Sequence, residues 1–251
     1  MKKLLASIAG LALLSASAFA ADMAPAPVYK APPPPAPAAN WTGCSINGGY
    51  GYGMYSADAT VETFPGLAPL APSETAGGRG WLGRVGGGCD YQFGVNGLGN
   101  WVVGVLADYD VMDIHGNLEP PALVVAGEEK ETSAWYAGGR IGYLVTPDLL
   151  TYFDGGYTQT HFDGVNLTTV AGATPLTLGS HTYSGYFLGG GLEYALNFTW
   201  LPVHGLFWRN EYRVANYSST DLPMPGVPPG LGLHITPYTQ TVVSSLVWRF
   251  P

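Results

Sequence analysis

Apolar and small polar side chains alternate along most of the chain beyond Asn40, most regularly from Thr236 to Phe250. In that run Tyr238, Gln240, Val242, Ser244, Leu246, Trp248 and Phe250 share one face, and Thr239, Thr241, Val243, Ser245, Val247 and Arg249 the other. A two-residue period is that of a β-strand. One greasy face, one polar face and an aromatic end suit the last strand of a barrel whose outside meets lipid.

Seven earlier stretches repeat the pattern. The first, Thr42 to Tyr55, sets Cys44, Ile46, Tyr50, Tyr52 and Met54 against Ser45, Asn47 and Gly49, Gly51 and Gly53. The second, Arg79 to Phe93, opposes Trp81, Val85, Cys89, Tyr91 and Phe93 to Arg84, Asp90 and Gln92. The third carries Trp101, Val103, Val105, Ala107, Tyr109 and Val111 against Asp108 and Asp110. In the fourth, Trp135, Ala137, Ile141, Tyr143 and Val145 face away from Tyr136 and Arg140. The fifth opposes Phe153 and Tyr157 to Tyr152, Asp154 and Thr158, and the sixth Tyr186, Leu188, Leu192, Tyr194 and Leu196 to Glu193. The seventh sets Leu206, Trp208, Tyr212 and Val214 against Arg209, Glu211 and Arg213. Asn210 interrupts its apolar face, which a bulge or a place near a membrane interface would accommodate.

Short turns (Gly94 to Gly99, Thr146 to Asp148) and a short link (Phe198 to Val203) alternate with long connections. The long ones include Pro120-Pro121 with Glu128-Glu129, and Pro223 to Gly232. Eight strands joined this way predict an all-β fold, an eight-stranded antiparallel transmembrane barrel of the outer-membrane type. Charge sorting supports it. Arg84, Asp90, Asp108, Asp110, Arg140, Asp154, Glu193, Arg209, Glu211, Arg213 and Arg249 all have the parity of the polar, lumen-facing set. A cationic side chain on the lipid face at mid-bilayer costs about 2–4 kcal/mol, which explains the segregation. A soluble eight-stranded barrel would show the reverse, with apolar groups inside.

Composition narrows the class further. Only 11% of the 251 residues are charged, against 47% hydrophobic and 13% aromatic, where a soluble domain carries about a quarter charged. Beyond residue 20 there is no apolar run of the roughly 18 residues that a membrane helix needs. The net charge of −8 opposes nucleic acid as a partner.

Residues 1–20 read as a cleaved secretory signal, with Lys2-Lys3, an apolar core from Leu4 to Leu14, and Ala18-Phe19-Ala20 at the cleavage point. Residues 21–40 form a Pro-rich leader, expected to be extended and periplasmic. The barrel is expected over 41–250.

Several motifs in order resemble the porin-family small outer-membrane barrels of alphaproteobacteria, the surface-antigen type. They are Asn40-Trp41-Thr42-Gly43 after the proline run, Gly189 to Leu196, Glu211-Tyr212-Arg213 and the terminal Trp248-Arg249-Phe250. The resemblance implies insertion by the outer-membrane barrel assembly machinery, with Leu246, Trp248 and Phe250 as the C-terminal signal. This chain departs by ending on Pro251. Outer-membrane lipid and lipopolysaccharide are the expected surroundings; the oligomeric state is open.

The two cysteines, Cys44 and Cys89, fall on the outward faces of neighbouring strands. Export to an oxidising compartment permits a disulfide, two apolar thiols are the alternative, and the long loop between them leaves the register open. Two cysteines do not make a metal site. The lumen charges read either as a plug of mutual pairs or as the selectivity lining of a passive porin. An eight-stranded barrel is just wide enough to be filled by its own side chains, so the plug is preferred. The histidines, His115, His161, His181, His204 and His234, show no Ser–His–acid spacing, and no catalytic, cofactor or metal site is expected. The sequence therefore reads as an integral outer-membrane protein with a structural and surface role and at most limited solute diffusion. A porin, or an adhesin acting through its loops, is the alternative.

Overall fold

A computed structural model describes residues 39–64, 68–119, 125–169, 176–197, 205–224 and 230–250. The expected signal, nearly all of the Pro-rich leader, Pro120-Pro121, the Phe198–Val203 link, His204 and Pro251 lie outside the described residues. The strands are β1 (Gly43–Thr63), β2 (Glu74–Val95), β3 (Gly99–Leu118), β4 (Val125–Thr146), β5 (Leu149–Phe162), β6 (Val165–Thr169), β7 (Leu176–Leu178), β8 (His181–Ala195), β9 (Leu206–Tyr217), β10 (Thr220–Pro223) and β11 (Leu231–Phe250).

Eight of them form a closed antiparallel ring in the order β1, β2, β3, β4, β5, β8, β9, β11, returning to β1. The closing seam is continuous from Cys44 opposite Phe250 to Thr63 opposite Leu231. Closure leaves no free ladder edge, which is what makes a sheet tolerable in hydrocarbon. β6, β7 and β10 do not enter the ring: β6 pairs with the far end of β4, β7 with β6, and β10 with β11.

The outward face follows the alternation read from the sequence. Tyr50, Val85, Val105, Ile141, Phe153, Leu188, Tyr212 and Val242 are among its exposed apolar groups. On β2 the outward aromatics Trp81 and Tyr91 bracket the belt. Ten residues at about 3.3 Å each, tilted by about 40°, span roughly 25 Å, the height of a lipid-facing band. Arg79, exposed and outward, stands two residues beyond Trp81 at the belt's outer edge. Asn210 sits in unbroken register between Leu192 and Ser244, so no bulge accommodates it. Its neighbours form a small polar patch on the wall, where the Trp208 indole donates to Ser244 at 2.8 Å and the Tyr212 hydroxyl to Gln240 at 2.6 Å.

This wall makes a direct prediction. Val242→Arg, midway between Tyr238 and Trp248, is expected to lower stability by about 2–4 kcal/mol, whereas Tyr238→Arg costs about 0–1. Denaturant unfolding of the protein in lipid vesicles measures both, and equal losses would mean that the outward face does not meet hydrocarbon.

Beyond the belt the strands continue where the sequence suggests loops, and on β1, β3 and β11 their chemistry inverts without a change of parity. On β1, Ala57, Ala59 and Val61 point in and are buried, while Asp58 is exposed. On β3, Met112 and Ile114 are inside and Asp113 and His115 outside. On β11, Leu233 and Ile235 are buried. This outer end is a water-soluble type of barrel with apolar core and polar exterior, stacked on a membrane barrel of opposite polarity. The reason is the solvent: outside the bilayer, water replaces hydrocarbon at the outer wall and burial of apolar groups inside becomes favourable.

Candidate functional site

All eleven lumen charges expected from parity are inside the ring, each no more than 7% exposed. They gather in two layers. In the layer nearer Gly43 and Phe250, Arg140 grips Asp90 through Nε and Nη2 (2.7 and 2.5 Å) and reaches Glu193 through Nη1 (2.9 Å). Arg209 donates to the same Glu193 oxygen at 2.9 Å, and Arg249 bridges Asp90 and Glu193 at 2.9 and 2.8 Å. In the second layer Arg84 forks onto Asp110 (2.6 and 2.7 Å) and donates to Glu211 (2.5 Å). Arg213 meets Asp108 at 2.7 Å, Asp154 at 3.0 Å and Glu211 at 2.7 Å. Tyr152 joins the layers, its hydroxyl donating to Glu211 at 2.7 Å and its ring centre 5.1 Å from the Arg140 guanidinium.

The layers are built by a recurring device in which a polar side chain reaches across a glycine on the intervening strand to an acid two strands away. Asp90, Gly104 and Arg140 are register partners across β2, β3 and β4. Asp154, Gly189 and Arg213 are partners across β5, β8 and β9. Asn47 reaches Asp108 in the same way over Gly86, at 3.1 Å. A Cβ on Gly104 would lie 2.0 Å from the Asp90 carboxylate, and one on Gly189 would lie 2.4 Å from that of Asp154. Glycine is therefore what lets ionised groups meet inside so narrow a ring.

Apolar layers cap both ends. Trp41, fully buried, closes the end where β1 begins and β11 ends, with Val102, Leu150, Phe207 and Val247. Its indole donates to the Pro147 carbonyl at 3.0 Å, and its own carbonyl accepts from Arg249. At the other end Tyr136 and Phe187 lie against Arg213, followed by Tyr55, Leu82, Ile114, Phe162 and Tyr183. Beside the Asp90–Arg140 layer, a cavity of about 10 Å³ touches Ser45, Asp90, Arg140 and Arg209, room for about one water molecule.

Parity missed two glutamates. An irregularity at Glu131–Ser133 on β4 flips the alternation, so that Glu129 and Glu131 turn inward beyond the outer edge of the belt. Glu131 accepts from Thr160 at 2.6 Å and from Thr239 at 3.1 Å; no cation pairs with either acid among the described residues. Burial pushes the Glu129 carboxyl up to about 7 against the opposing pull of the Tyr55 hydroxyl. Burial likewise pushes Glu131 up to about 7, partly offset by the two threonines and reinforced by Asp110 and Glu129. Trp41 gave only a weak signal, a lone aromatic before the first strand. The glutamates gave none, because a bulge cannot be seen in a residue pattern.

Cys44 and Cys89 are register partners and are joined by a disulfide. They face outward near the end of the seam, where Cys44 also pairs with Phe250. Leu246, Trp248 and Phe250 are exposed on the outer wall of β11, with the last two rings 6.0 Å apart.

The chain is 29% identical over 202 residues to the 31 kDa outer-membrane immunogenic protein of Brucella melitensis biotype 1, a match covering 78% of this chain and 81% of that protein. The protein of the same name in Brucella suis biovar 1 matches to the same extent. In fold it is similar to the outer membrane protein OprG of Pseudomonas aeruginosa, with a TM-score of 0.52 at 11% identity, covering 84% of this chain and 99% of that one. The family model described as outer membrane protein beta-barrel domain matches residues 6–250. With a closed eight-strand ring, a greasy wall and charges sequestered inside, this chain belongs to that family and is an integral barrel of the outer membrane.

Proposed function

We propose that the barrel works as a closed structural element of the outer membrane, acting through its wall and its external end rather than by conduction. One observation carries this reading: apolar caps seal both ends of a lumen already filled by paired charges. An open passage would need a continuous water path through both charge layers and both apolar caps. Catalysis has no place in this reading. Lipid and lipopolysaccharide surround the wall, and the barrel assembly machinery reads Leu246, Trp248 and Phe250 on the exposed face of the last strand.

Planar-bilayer recording of the refolded protein tests it. The wild type is expected to give no unitary steps, and neither Arg140→Ala nor Arg213→Ala alone to open a stable pore, since the capping layers remain. Regular steps from the wild type would instead support the passive-porin reading. The unpartnered Asp154 Oδ1, Arg213 Nη1 and Arg249 Nε are the groups that would line a thin water path.

A further inference from the structure

Outside the belt, three strands bring Glu62 (β1), Asp221 (β10) and His234 (β11) together, with one ligand-capable atom from each within 4.8 Å of the others. Register explains the meeting. His234 is opposite Asp221 on one side and Thr60 on the other, which puts Glu62 diagonally beside it on the same face. The chain then folds back over Glu62, through a bridge to Pro69, and leaves it 6% exposed.

The electrostatics are unresolved as the protein stands. Two carboxylates converge, no lysine or arginine pairs with any of the three among the described residues, and Asp221 meets both the His234 imidazole and the Glu62 carboxyl. Glu62 Oε1 is buried and has no hydrogen-bond partner. A desolvated carboxylate oxygen without a donor, next to a second carboxylate, is costly unless a cation joins them. We propose that Glu62, Asp221 and His234 form a binding site for a divalent transition-metal ion of the Zn²⁺ type on the external face of the barrel.

The donor set selects the ion. One imidazole with two carboxylates suits Zn²⁺ and its neighbours, whereas Ca²⁺ and Mg²⁺ take oxygen ligands. Zn²⁺ bonds of about 2.0–2.2 Å need donors roughly 3.5 Å apart, so modest side-chain rotation suffices. The His234 and Asp221 side chains are 40% and 32% exposed, which supplies an entry path and a position for water as fourth ligand. A metal ion needs a free lone pair on the imidazole nitrogen and on each carboxylate, so acid competes with it. The bound ion would tie β10 and the end of β1 to β11.

Competition of the refolded full barrel with a chromophoric chelator for Zn²⁺ alone tests the site. One equivalent is expected to bind, and His234→Ala and Asp221→Asn are each expected to weaken it by at least about tenfold. His115→Ala, at a second imidazole near Asp113 and Glu128, is expected to leave it unchanged. Co²⁺ in place of Zn²⁺ should give visible d–d bands that His234→Ala alters, provided that circular dichroism shows the barrel folded. No bound Zn²⁺, affinity lost in His115→Ala but kept in His234→Ala, or displacement by equimolar Ca²⁺ would each overturn the assignment.

Discussion

Replacing Arg213 with methionine is expected to lower the unfolding free energy by about 3–5 kcal/mol, among the largest effects available to a single substitution in this chain. The guanidinium is 1% exposed and is the shared partner of Asp108, Asp154 and Glu211. It also packs between the rings of Tyr136 and Phe187, with centroids 5.1 and 5.0 Å away. Methionine preserves much of that packing and removes the charge, so the loss reports Asp108 and Asp154 left without their cation in a dry interior, while Glu211 keeps Arg84. The pairs need not be strongly stabilising in themselves, because desolvation offsets much of their attraction. Adding Asp108→Asn and Asp154→Asn to Arg213→Met is therefore expected to recover most of the stability. Denaturant unfolding in lipid vesicles reads both. A single-variant loss under about 1 kcal/mol, the scale of an exposed pair, would mean that water reaches the layer and would argue for a conducting lumen.

The outer end of the barrel is expected to be tighter at pH 5 than at pH 8. Glu129 and Glu131 ionise near 7 in the folded chain, against an ordinary value of 4.5, chiefly because burial disfavours the charged form. The folded state thus holds more protons than the unfolded one between those values. Stability from these groups is complete below about pH 4.5, falls as pH rises through the window, and is gone above about 7. At about 1.4 kcal/mol per unit the shift corresponds to on the order of 3 kcal/mol for each acid, and their proximity couples the two titrations. Lower protection of the amides across the outer half of β4 at pH 8, with exchange taken relative to the intrinsic rate at each pH, would show it. Glu129→Gln with Glu131→Gln should flatten the profile. Equal protection at the two pH values in the unaltered protein would mean that both carboxylates are solvated.

Most of the membrane portion was legible from residue pattern. The outward residues from Tyr50 to Phe250 and the eleven inward charges follow from parity alone, since lipid penalises a misplaced charge at every position of the belt. The outer end was not legible as strand, because prolines and glycines near Phe64 to Gly78 resemble loop and because its apolar groups point the opposite way from those of the belt. Alternation alone cannot say which solvent lies outside a wall. Of the two places that suit Asn210, a bulge or a position near an interface, the straight ladder excludes the bulge, and a polar cross-strand partner, Ser244, stands beside it.

By itself the sequence determined the class of protein, because the period of two and the sorting of charge are local, per-residue consequences of having hydrocarbon on one side. The tertiary structure alone decided which charges pair, since Arg140 and Asp90, or Arg213 and Asp154, meet only when two strands with a glycine-bearing strand between them come into register. It also decided that Trp41 closes one end, that the irregularity at Glu131–Ser133 turns two glutamates inward, and that Glu62 lies beside His234. Register depends on contacts between distant segments, and a slip of one residue would exchange the two faces of any strand, so no single stretch contains that information.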